Sequence, residues 1–69
     1  MAHGTYRLTE IVGTSDTSVD EAIANGIAKA SETIHNLDWF DVVSVRGALS
    51  EGKVAEMQVT LKVGFRVDD

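Results

Sequence analysis

The chain has one tryptophan, Trp39, which lies in the pentapeptide Asn36-Leu37-Asp38-Trp39-Phe40, where a helical pattern gives way to a strand pattern. An indole at a strand entrance beside a carboxylate is either a core plug or a flat surface for stacking a planar ligand. Two other side chains suit ligand recognition. Arg46 is a planar donor matched to phosphate, and Gln58 offers both amide donors and an acceptor. Each also has an ordinary reading, Gln58 as a solvated strand residue and Arg46 as the cross-strand partner of Glu56. Other chemistries find little here. Cysteine is absent, which removes disulfides and thiolate metal sites. His3 and His35 have no partner at metal-ligand spacing. There is no Gly-rich phosphate loop or nucleophile elbow, and the carboxylates are scattered. Asp20-Glu21 reads as a helix start and Asp68-Asp69 as a solubilising tail. His35, three residues before Asp38 at the end of the helical pattern, reads as compensation of the helix dipole. No residue is assigned a catalytic or metal-binding role.

The elements that must position these residues follow from periodicity. A strand runs from Thr5 to Gly13 and ends in Gly13-Thr14-Ser15-Asp16. Ser18 and Glu21 make a capping box, and Val19, Ile23, Ile27, Ala30, Ile34 and Leu37 recur at steps of three and four. That stripe predicts one long helix from about Val19 to Leu37, with Gly26 on its packed side. A second strand covers about Phe40 to Leu49 and a third covers Val54 to Val67. In the third, apolar residues hold every odd position from Ala55 to Val67, giving one dry face and one polar face. The expected fold is α+β in the order β-α-β-β, a three-stranded antiparallel sheet on one helix with the third strand central. A three-residue loop, Ser50-Glu51-Gly52, keeps apolar residues together by pairing Val45 with Met57 and Val43 with Val59. Arg46 then faces Glu56, one step from Gln58. Strict alternation puts Trp39 on the opposite face from Arg46.

Size and charge bound the partners. Sixty-nine residues make one domain, spanning 1–69. A chain this short buries only about 60% of its extended surface and is marginal alone. With 6 basic and 11 acidic residues the net charge is −5, which argues against nucleic acid and anionic membranes as partners. No apolar run spans a bilayer and no signal peptide is present, so a cytoplasmic location is expected. A helix of about 19 residues reaches roughly 28 Å, against roughly 46 Å for the third strand. Apolar positions towards Val63-Phe65-Val67 should therefore lie uncovered, and a homo-oligomer is expected.

Val12-Gly13-Thr14-Ser15, Ala30-Ser31-Glu32-Thr33, Asn36-Leu37-Asp38-Trp39-Phe40, Val45-Arg46-Gly47 and the run from Gln58 to Arg66 together closely resemble the dodecins, over about Tyr6 to Val67. The resemblance implies a hollow homododecamer that stores or buffers flavins and quenches their photochemistry without turnover. It implies that Trp39 stacks on the isoalloxazine ring, with flavins paired between indoles of symmetry-related subunits. Gln58 would bond the pyrimidine edge, Arg46 would pack near the flavin, and Asp38 belongs to the same block. Arg66 matches a position that in some members helps bind coenzyme A. FMN is the expected flavin because Arg46 offers charge for a phosphate; riboflavin and lumichrome share the ring. A ligand-free oligomeric shell and a small oligomeric enzyme are the rival readings.

Overall fold

The computed structural model describes residues 4–67. His3 and the Asp68-Asp69 tail lie outside that range. Strand β1 (Thr5–Ser15) leads into helix α1 (Val19–Ala30), followed by β2 (Leu37–Ser50) and β3 (Lys53–Val67). The sheet order is β1-β3-β2, with β3 antiparallel to both neighbours. The α+β class, the element order and the central third strand all agree with the sequence pattern.

The first turn is closed by two serines. Ser18 caps the helix by accepting from the Glu21 backbone N–H at 3.0 Å. Ser15, buried at the end of β1, donates to Glu21 Oε1 at 2.6 Å and accepts from the N–H groups of Thr17 and Ser18 at 2.9 and 3.3 Å. Ser15→Ala would strand those groups and should cost about 1–3 kcal/mol, read as a lower urea midpoint at unchanged m.

The helix is shorter than its apolar stripe suggests. It has 12 residues and stops at Ala30, not near Leu37. Beyond Ala30 the backbone tightens, with Glu32 and Thr33 donating to the carbonyls of Lys29 and Ala30 at 3.2 Å. Asn36 then turns the chain at φ 66, a left-handed conformation that asparagine tolerates. Ile34 and Leu37 are still half-buried, Leu37 as the first residue of β2, paired with Phe65. His35 lies outside the helix, which overturns its assignment to the helix dipole.

The core is thin. Ala22, Val59 and Leu61 form its centre, packed by Ile11, Val19, Ile23 and Ile27. The helix can sit this low because Gly13 and Gly26 meet backbone to backbone. A Cβ on Gly26 would lie 3.0 Å from Gly13 Cα, and one on Gly13 would drive into the Ala22 carbonyl. Gly26 is thus a packing residue, as its place on the stripe suggests. Gly13→Ala should cost about 1–3 kcal/mol through overpacking, measurable by urea or thermal unfolding.

The helix packs on β1 and β3. At about 18 Å it leaves most of a strand of roughly 50 Å uncovered. The uncovered apolar stripe is not at Val63-Phe65-Val67, where Val63 is 0% exposed and its neighbours are half-buried. It lies on β2, where Phe40, Val42 and Val45 are 45, 47 and 48% exposed on the helix side of the sheet. The radius of gyration, 14.3 Å, exceeds the roughly 11 Å of a compact domain of this length.

The hairpin also departs from the expected loop. The turn has two residues, Glu51 and Gly52, at φ 51 and 77, and Ser50 pairs with Lys53. A register break between Ala48 and Leu49 leaves Ala55 unpaired and restores apolar matching. Val45 therefore faces Val59 rather than Met57, and Arg46 faces Gln58 rather than Glu56. Between Ser44 and Ala48 this two-residue slip leaves each side chain on its expected face and changes only its neighbours.

Candidate functional site

The face of the sheet away from the helix carries the polar rows of β3, and a bulge in β2 decides what joins them. Trp39 pairs with Gly64, Phe40 with Val63, Asp41 with Lys62 and Val42 with Leu61. Val43 is then skipped, so that Ser44 pairs with Thr60 and Arg46 with Gln58. The extra residue reverses the strand's parity between Trp39 and Arg46. Both side chains thereby share the face of Gly64 and Gln58, which removes the conflict that strict alternation creates. No local pattern in the sequence marks this bulge; only the roles that the resemblance implies for Trp39 and Arg46 ask for an extra residue between them.

Within that face the residues fall into two groups. At one end the indole of Trp39, 42% exposed, lies against Gly64, with Arg66 paired to Tyr6 two positions further along. At the other end Arg46 stands directly across from Gln58, whose amide nitrogen donates to Glu56 Oε1 at 3.1 Å. That bond holds the amide and leaves its carbonyl oxygen and second N–H free to meet a mixed donor–acceptor edge. Gly64 and Gln58 are six positions apart on β3, so the two groups are about 20 Å apart within one chain at roughly 3.3 Å per residue. Glu56 and Gly64 are the residues that sequence reasoning missed. Their only signals were an acid two positions from Gln58 and a glycine inside a strand.

Asp38 belongs to neither group. It falls in the register break between Leu37 and Trp39, is exposed, and lines a cavity of about 150 Å³ with Ile27, Leu37, Trp39, Phe40 and Val63. A larger, shallower hollow of about 560 Å³ lies between α1 and Phe40 and is walled by Ile23, Ala24, Ile27 and Ala28. Among the described residues no group of three or more His, Cys, Asp or Glu could hold a metal, and no helix is long and apolar enough to cross a membrane.

Fold and face together define a small β-α-β-β sheet protein with a half-exposed aromatic platform and a separate amide–guanidinium pair. Comparison with known proteins places it more narrowly. The family model Dodecin matches residues 5–68. The chain is 44% identical over 64 residues to the dodecin of Thermus thermophilus, covering 93% of each. Its structure superimposes on dodecin from Streptomyces davaonensis with a TM-score of 0.95 at 62% identity, covering 99% of this chain and 100% of that one. Dodecin from Streptomyces coelicolor gives 0.94 at 51% identity, covering 100% and 99%. The chain belongs to the dodecin family.

Proposed function

We propose that the protein binds flavins without turning them over, holding them as stacked pairs between subunits of a homo-oligomer, a dodecamer as in its family. It would serve as a cytoplasmic buffer that also quenches flavin photochemistry. The observation that carries this reading is the half-exposed indole of Trp39, a large aromatic surface kept at the surface of a family whose ligand is planar and aromatic.

Trp39 stacks on the isoalloxazine ring. Gln58, its amide oriented by Glu56, bonds the pyrimidine edge, and Arg46 beside it supplies charge that favours FMN over riboflavin and lumichrome. Because these groups lie about 20 Å apart in one chain, the Trp39 and the Gln58–Arg46 pair around one flavin belong to different copies. Asp38, at the rim of the cavity beside Trp39, accepts hydrogen bonds from the ligand. Arg66, exposed on the same face, is assigned the phosphates of coenzyme A as a secondary ligand.

Titration of the purified protein with riboflavin and FMN tests the reading. Saturable loss of flavin and tryptophan fluorescence near one flavin per chain is expected, with FMN bound more tightly. Unquenched flavin at millimolar protein would leave a ligand-free shell, and conversion of the flavin to product would make it an enzyme.

A further inference from the structure

Gly64 is an unusual residue for its place. It lies in the interior of the central strand, on the polar face, and is buried although it has no side chain. What covers it is Trp39. The three atoms nearest to a Cβ built on Gly64 are Cε2, Cζ2 and Cδ2 of the indole, the last two at 2.5 and 2.8 Å. The nearest, Cε2, is a ring-fusion carbon with three heavy neighbours in the plane, so it can be approached closely only from above or below the ring. The indole therefore lies with one face against the Gly64 backbone. Carbon atoms prefer separations of about 3.5–4.0 Å, so a real Cβ would have to lift the ring by roughly 1 Å.

We infer that Gly64 is the positioning residue of the stacking site: its missing side chain forms the seat that fixes the plane of Trp39, seals one face of the indole and leaves the other for a single planar ring. This inference rests on the flavin-binding reading and deepens it. Each platform then takes one ring, and the order from the sheet outwards is glycine backbone, indole, ligand. The bare aromatic cover of a strand glycine is also a purely stabilising device. The two roles differ in what they predict for the ligand.

Gly64→Ala is compared with the parent by acrylamide quenching of Trp39 without ligand, by riboflavin titration, and by light scattering for assembly state. The expected result is a more accessible indole in the ligand-free protein and riboflavin binding weakened at least tenfold, in an assembly of unchanged size. Unchanged accessibility together with unchanged binding overturns the seat. Altered accessibility and stability with riboflavin bound as in the parent reduces Gly64 to a structural role and also overturns the proposal. If the variant fails to assemble, Gly64→Ala is placed in a Trp39→Ala background. Folding restored to that of Trp39→Ala alone supports the seat, and no rescue overturns it. If the parent binds no riboflavin, it is the function that fails, and the accessibility arm still decides whether the glycine sets the indole.

Discussion

Trp39→Ala is expected to weaken riboflavin binding by about ten- to a hundredfold, because stacking a planar heterocycle on an aromatic side chain contributes roughly 1–3 kcal/mol and each 1.4 kcal/mol is a factor of ten. The indole is 42% exposed and contributes no atom to the core formed by Ala22, Val59 and Leu61. Its removal should thus change affinity far more than folding. Trp39→Phe separates area from electronic character. A phenyl ring keeps part of the stacking surface but is a poorer electron donor to an excited flavin, so flavin that remains bound should regain fluorescence. Steady-state titration and lifetime measurements read both effects. Variants that bind and quench like the parent would exclude Trp39 as the platform.

The second large effect is expected from Val45→Asp. Val45 lies in the uncovered stripe with Phe40 and Val42, opposite Val59 on the helix side of the sheet. In an isolated chain the new carboxylate would stay half in water and cost little. In a subunit interface it would be buried without a partner, at several kcal/mol per copy. Sedimentation at micromolar concentration should show the assembly lost and the thermal midpoint lowered, since the thin core is left alone. Flavin binding should vanish with it. Trp39 and the Gln58–Arg46 pair are too far apart in one chain to grip one ring. A folded Val45→Asp monomer that binds riboflavin as the parent does would refute the shared site, and an intact assembly would remove β2 from the interface.

The two substitutions act on opposite faces of one sheet. For β3 this division was legible early, whereas strict alternation along β2 put Trp39 and Val45 on the same face and only the bulge at Val43 separates them. The odd-numbered apolar run of β3 gave the dry face, and even-numbered Gln58 and Arg66 gave the polar one. Such parity is written residue by residue, because successive strand side chains must point to opposite sides. The β1–α1 junction was equally readable, since Ser18 and Glu21 satisfy helix N–H groups within their own turn. What failed were inferences that depended on distant neighbours. The stripe through Ile34 and Leu37 is also satisfied by a tight turn after Ala30, and only the sheet beneath decides between turn and helix. The uncovered surface was expected at the wrong strand because helix length says how much is left bare, not where the helix lies.

By itself, then, the sequence determined the order of elements, the dry and polar faces of β3 and the residues worth suspecting, because all of these arise from contacts within a turn or along a strand. The tertiary structure decided the rest. It placed the bulge at Val43 that brings Trp39 onto the face of Arg46 and Gln58, and the unpaired Ala55 that aligns those last two. It also laid the indole on Gly64, 25 positions away in sequence. Bulges and cross-strand contacts are settled by the pairing of whole strands, a property no single segment carries.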